Sequence, residues 1–315
     1  MLSYTLRRAG QGLAVVIVVS FLTFLEAHLM PGSPARAILG VHASQAQIRA
    51  FNAENGYNQP VPVQYVDYLD RLVHGNLGFS YQQNQTVAAL LGERLPATVL
   101  LVGLSVIVAL LLMIPVSILQ ATRRNKPTDY ALTGVTFVLY AMPEFWLGLM
   151  LIMLLAEKVR AFPPVAPQGN VPQILANPAG LVLPVITLAL GSLAAFTRYL
   201  RSSLLDNLAE DYVRTARATG ASERRVMLRH VFPNSLLPVI TLVGLSLPGI
   251  LGGALITESV FNYPGMGLLY WNSAQSRDYP VMLGVTMVVG LATIAGNLLA
   301  DLLYAAADPR VRYVS

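Results

Sequence analysis

Six apolar stretches, each close to or above the ~20 residues that cross a bilayer as a helix, constrain this chain more than any motif in it. They run over about 9–30, 95–120, 130–156, 181–200, 235–257 and 279–304. Composition agrees: 55% of the 315 residues are hydrophobic and only 12% are charged. A soluble domain of this length cannot hide so much apolar surface, and disorder requires low hydrophobicity. The expected fold is an all-α polytopic membrane protein with six transmembrane helices. The first stretch is too long for the ~7–15-residue core of a signal peptide. Glu26, Ala27 and His28 stand where a small-residue cleavage site would lie. The chain has no cysteine, which excludes disulfide scaffolds and cysteine-based metal sites, and its four histidines, at 28, 42, 74 and 230, are too scattered for a local metal motif.

Basic residues orient the spans, because cytoplasmic loops carry the Lys and Arg excess. Fourteen lie at the amino terminus, between stretches two and three, between Arg198 and Arg229, and at the carboxyl end; seven fall on the other side. Both termini are therefore expected in the cytoplasm. The organisation reads as a terminus and first helix over 1–30, an external segment over 31–94, and a membrane core over 95–315 that contains a cytoplasmic loop at 201–234. Within the external segment, 59–73 is expected to be helical, with Val63, Val66, Leu69 and Val73 on one face. The loop 162–178, with five prolines, is expected to be an irregular cap.

The cytoplasmic loop is the most informative segment. Asn207 to Glu210 resembles a capping box, Glu210 and Arg214 are spaced as a helical pair, and Gly220 interrupts the pattern. Ser222 is positioned to cap a second helix, which Pro233 is expected to end near Phe232. The product is helix–glycine–helix, ringed by arginine. Two readings follow: a basic amphipathic linker on anionic lipid heads, or a docking surface for a cytoplasmic partner. Ala216, Ala218, Gly220 and Ala221 would let such a partner approach the backbone.

The run Arg214–Gly220, a nine-residue spacer, and His230, Val231, Phe232 and Pro233 resemble the "EAA" loop of ABC-importer permeases. Arg214 and Thr215 replace its first two letters. The stretch Glu258–Gly267, the run Arg277–Val281, then Asn297, Asp301, Tyr304 and Asp308–Arg310 are similar to the end of the binding-protein-dependent dipeptide/oligopeptide/nickel permeases. Met30–Gly32, Gln59–Pro60, Gly75–Gly78 and Glu93–Thr98 resemble the front of their B-type subunit. Ser33 and Asn76 depart from acids common in that pattern. The resemblance covers nearly the whole chain. It implies that Arg214, Thr215, Ala216, Arg217, Ala218, Gly220 and Ala221 belong to a coupling helix seated in an ATPase subunit. It further implies a C-type permease partner, two ATPase subunits that bind ATP and Mg, an extracytoplasmic substrate-binding protein, and a bacterial cell membrane location. No cofactor is expected in this chain, and no nucleic-acid partner.

Within the spans, charges default to functional hypotheses. Glu144 would lie roughly 21 Å along the third helix at ~1.5 Å per residue, beside Trp146, where a carboxylate can receive a peptide's amino terminus or be paired between helices. Pro248 and Gly249 offer either a bend at a gate or close helix packing. Glu258 either gates or fixes the turn carrying Phe261, Pro264 and Gly265, a candidate contact for the binding protein. Asp301 is positioned to pair with Arg198.

The leading expectation is thus a permease subunit of an ATP-driven peptide importer, with nickel-chelate or glutathione import as the alternative. The chain is not expected to be an enzyme. It has no GxxxxGK[ST] phosphate loop and no HExxH. An ion-coupled secondary transporter would bring inverted repeats, and the sequence shows none.

Overall fold

The computed structural model describes residues 2–29, 35, 39 and 42–307, without the side chains at 2–9, 26–29, 237–238, 241, 245–253 and 299–307. Motif residues 30–34 and 308–310, and the side chains of Glu26, His28, Pro248, Gly249, Asp301 and Tyr304, lie outside that description.

The chain is a helical bundle. Its main elements are α1 (Leu2–Leu29), α2 (Gln45–Glu54), α3 (Val61–Val73), a two-stranded antiparallel hairpin of β1 (Phe79–Ser80) and β2 (Gln85–Thr86), and α4 (Val87–Thr122). Then come α5 (Pro127–Ala141), α6 (Glu144–Leu151), α7 (Val182–Leu208), α8 (Asp211–Ala218), α9 (Leu237–Val260), α10 (Met266–Ser276) and α11 (Tyr279–Ala307). Among the described residues three helices are long and apolar enough to cross a membrane, four if the pair α5 and α6 is one bent span.

The helix α4 begins eight residues earlier than its apolar stretch suggests. Thr86 caps it by accepting from the Ala89 N–H, and Val87, Leu90 and Leu91 are buried with residues of α10 and α11. Tertiary packing thus carries the helix beyond the membrane-length signal. Against it lies α7, and Leu101, Ala109, Met113, Leu183, Phe196 and Leu200 fill the shared core. Between helices in lipid the hydrophobic effect gives no drive, and close van der Waals packing supplies it instead. The contact of α1 with α11 shows this: a Cβ on Gly12 would lie 2.8 Å from the Ile294 side chain, and one on Gly290 would lie 3.0 Å from Val16.

Several local expectations are corrected. The third span is not one straight helix; it breaks at Met142–Pro143 and turns by 107°. Pro143 disfavours helical geometry at Met142, which is extended, so Glu144 opens a new helix rather than lying deep in the old one. In α3 the face marked by Val63, Val66 and Val73 is exposed, and Tyr65 and Tyr68 are buried instead. Tyr65 packs edge-on to Phe21 and Phe24 of α1, and its hydroxyl donates to the Ile17 carbonyl at 2.8 Å. An aromatic ring brings both apolar area and a polar tip that finds a partner, which three valines cannot match.

In the loop at 201–234, Asn207 still belongs to α7, and Glu210 is the N-cap of α8 without a side-chain bond. Arg214 pairs with Asp211 at 3.3 Å rather than with Glu210. The second loop helix does not stop at Phe232. It widens into a π-turn over Val226–Val231, where the Phe232 N–H reaches the Met227 carbonyl, five residues back. The chain then winds on through Phe232–Ser235, with Pro233 in the first turn, where its missing N–H costs nothing. The proline-rich loop is held by a short helix, Val171–Leu175, capped reciprocally by Asn170 and Gln173.

Candidate functional site: a glycine-turned loop and a buried carboxylate

The inner end of the molecule presents the helix–glycine–helix loop. Gly220 has φ +83°, a left-handed conformation that side-chain-bearing residues rarely adopt, and no atom lies within 4 Å of a Cβ built there. The turn is thus open on the side a partner would approach. Val213 and Ala216 of α8 face inward and pack in the core with Val226, Met227 and Val231. Arg214, Thr215, Arg217 and Ala218 are exposed, as is Gly220, while Ala221 is half-buried. Arg217 clamps the two halves of the loop, its Nε and Nη2 donating to Glu223 at 2.8 and 3.1 Å. That guanidinium also holds the Glu223 carboxyl below the usual carboxylate range. The small-residue set singled out in the sequence therefore divides: Ala216 is core, and Ala218 and Gly220 form the surface.

Behind the loop, Arg201 of α7 donates twice to Asp129 of α5, at 3.0 and 2.7 Å. This ion pair ties the base of the bent span to the helix that leads into the loop. No spacing signal announces it, since the partners are 72 residues apart. Arg198 has its guanidinium over the rings of Tyr140 and Tyr199 at 5.7 and 5.5 Å; its expected pairing with Asp301 falls on a side chain outside the described residues.

At the other end of α9, Glu258 is completely buried. It accepts from the Thr98 hydroxyl at 2.6 Å and from the Gly267 and Leu268 N–H groups at 2.6 and 3.2 Å. Thr98 in turn accepts from Met266 N–H at 2.8 Å, and Tyr263 donates to the Ala97 carbonyl at 2.7 Å. Glu258 thus satisfies the first turn of α10, as an acid at a helix amino terminus does. Gly265 and Gly267 are required there: a Cβ on the first would collide with the Glu258 carboxylate, and one on the second with the Leu255 backbone. Phe261, Pro264 and Gly265 are buried, and only Asn262 of this turn is exposed. As a contact for another protein these three are placed unfavourably; their burial makes them the frame of the turn.

Glu144 lies in the first turn of α6, half-buried, and receives the Thr257 hydroxyl. Trp146 beside it is 42% exposed. Pro248 and Gly249 belong to the continuous helix α9. Sequence reasoning missed Thr257 and Thr98, because a threonine facing a carboxylate across a helix interface leaves no local pattern.

The comparisons with known proteins agree with this architecture. Residues 113–313 match the model of the family described as "Binding-protein-dependent transport system inner membrane component". Residues 1–102 match its amino-terminal counterpart, "Binding-prot-dependent transport system membrane comp, N-term". The chain is 39% identical to the oligopeptide transport system permease protein AppB of Bacillus subtilis, over 99% of this chain and 100% of that protein. It is 35% identical to the dipeptide transport system permease protein DppB of Escherichia coli K12, over 99% of each. Among solved structures it shares its fold with an inward-facing MetNI methionine ABC transporter chain (TM-score 0.53, 18% identity, 72% of this chain and 96% of that one). A chain of an amino acid ABC transporter aligns with TM-score 0.53 at 16% identity, over 70% of this chain and 94% of that chain. With both portions of its length matched, this helical membrane protein belongs to the family of binding-protein-dependent transport system inner membrane components.

Proposed function

We propose that this chain is the membrane-spanning permease subunit of an ATP-driven importer of dipeptides and oligopeptides. It forms half of a translocation pathway with a second, C-type permease, and two ATPase subunits dock on its cytoplasmic face. An extracytoplasmic binding protein delivers the substrate to the outer face. In this reading the chain crosses the cell membrane six times, α5 and α6 together making one crossing, with both termini in the cytoplasm and 31–94 outside. The peptide substrate class is supported by full-length similarity to permeases named for oligopeptide and dipeptide transport.

The observation that carries the coupling role is the Gly220 turn, left-handed, exposed and open, at the tip of a loop whose inner face is locked into the core. Gly220→Leu tests it. A leucine there is strained by φ alone, about 1–2 kcal/mol, and projects toward the partner rather than into the chain. The variant is expected to insert at normal levels and to lose peptide uptake and substrate-stimulated ATPase activity in the reconstituted complex. Unchanged transport would return the loop to a lipid-bound linker.

A further inference from the structure

The outer segment encloses a cleft that neither the coupling loop nor the membrane pathway uses. It has a volume of about 580 Å³ and lies between α2, α3, the β hairpin and the first turn of α11. That size falls within the ~300–1,000 Å³ of small-ligand clefts. Its wall carries Glu54, Asp67 and Arg71, which form no ion pair among the described residues. Two phenols in the same wall, Tyr68 and Tyr279, are 5% and 8% exposed. Neither hydroxyl has a hydrogen-bond partner among the described residues. A buried hydroxyl left unpaired is destabilising, and a ligand acceptor entering the cleft relieves it.

The charges are arranged with those phenols. Arg71 follows Tyr68 by three residues on α3, where such side chains are neighbours, and shares the wall with Tyr57. A guanidinium beside donor hydroxyls is the chemistry that receives a carboxylate. Two unpaired carboxylates in the same cleft suit an ammonium. Phe79 and Tyr81, in edge contact at 5.3 Å, add aromatic surface between the charged groups. A solute with one charge of each sign on a short, partly apolar body satisfies all of these at once.

We propose that this cleft is an outer binding site for short peptides in their zwitterionic form. The α-carboxylate is received by Arg71 with the hydroxyls of Tyr68 and Tyr279, and the α-ammonium by Asp67 and Glu54. The site would hold peptide at the outer face of the permease. The inference rests on the peptide-import reading above.

The test is calorimetric titration of trialanine into the full permease–ATPase complex in lipid nanodiscs, without the binding protein. Arg71→Ala is expected to weaken binding by at least ~10-fold, the usual scale for a charged hydrogen bond. Trialanine amide, which lacks the carboxylate, should be far less sensitive to the change. Tyr68→Phe keeps the packing, removes only the hydroxyl, and should cost ~3–10-fold. Wild-type affinity in both variants overturns the proposal. So does an Arg71→Ala complex that binds trialanine normally but no longer captures the binding protein, since the cleft is then a protein-docking surface. Uptake of trialanine by the complete system is measured in parallel. Uptake without cleft-dependent binding defeats this inference and leaves the import reading standing, whereas absence of peptide uptake defeats that reading itself.

Discussion

Of the two readings the sequence offers for Glu258, gating or fixing a turn, its surroundings favour the second. Its three donors, Thr98, Gly267 and Leu268, are all fixed by backbone or by packing. Removing the acceptor leaves them buried and unpaired, at about 1–3 kcal/mol each. Glu258→Leu is therefore expected to lower thermal stability in detergent by several kilocalories per mole. Thr98→Val should lower it less, because the two backbone donors keep their partner. Equal stability of all three proteins would refute the assignment. Glu144 is different. It is half-buried, its one partner among the described residues is a hydroxyl, and it stands at the bend of a broken span. If it lines the peptide path, a carboxylate there attracts the α-ammonium that every unmodified peptide carries. Glu144→Gln should preserve assembly and basal ATPase activity while reducing uptake of free-amino peptides, and amino-acetylated peptides should be affected less. Equal losses for both would make Glu144 a packing residue.

At the scale of elements, the bent pair α5 and α6 depends on its anchor to α7. Asp129 is buried and doubly bonded by Arg201, which holds α5 against α7 behind the helix–glycine–helix loop. Asp129→Asn is expected to destabilise by about 1–3 kcal/mol. This is less than the ~3–5 kcal/mol for breaking a fully buried pair, because the Arg201 side chain keeps 29% exposure. Thermal melting of wild type and Asp129→Asn in detergent at pH 7 checks this, and equal stability would mean that the pair does not anchor α5. The broken span also explains the misplaced Glu144: an apolar window reports hydropathy, and only the Met142–Pro143 geometry reports the turn.

For the whole molecule, the distribution of arginine and lysine carries a claim about sides. The hairpin residue Gln83 is exposed and belongs to the segment proposed to be outside. The natural chain has no cysteine, so Gln83→Cys provides a unique thiol. Membrane-impermeant maleimide should label it in intact cells once any outer permeability barrier is opened. Labelling only after the inner membrane is ruptured would invert the topology. Large apolar side chains on α5, including Val135, Phe137 and Val138, are exposed in the isolated chain. Such a face is expected where lipid or a second permease covers it.

Length and hydropathy by themselves determined that this protein is a helical membrane bundle, because each apolar stretch long enough to span must satisfy its backbone within itself. The turn at Gly220, the helix start after Ser222, whose side chain makes no capping bond, and the approximate bounds of α9 and α11 were also legible, since glycine and hydrophobic length act locally. Tertiary structure alone decided the rest. It turned α3 onto its tyrosines, because Phe21 and Phe24 of α1 supply a matching surface that no window of α3 contains. It let the loop helix pass Pro233, because a π-turn had already shifted the hydrogen-bond register. It also paired Glu258 with Thr98 and Glu144 with Thr257, 160 and 113 residues apart. A buried carboxylate needs donors, but which helix provides them depends on how the bundle packs, and that information is spread over the whole chain.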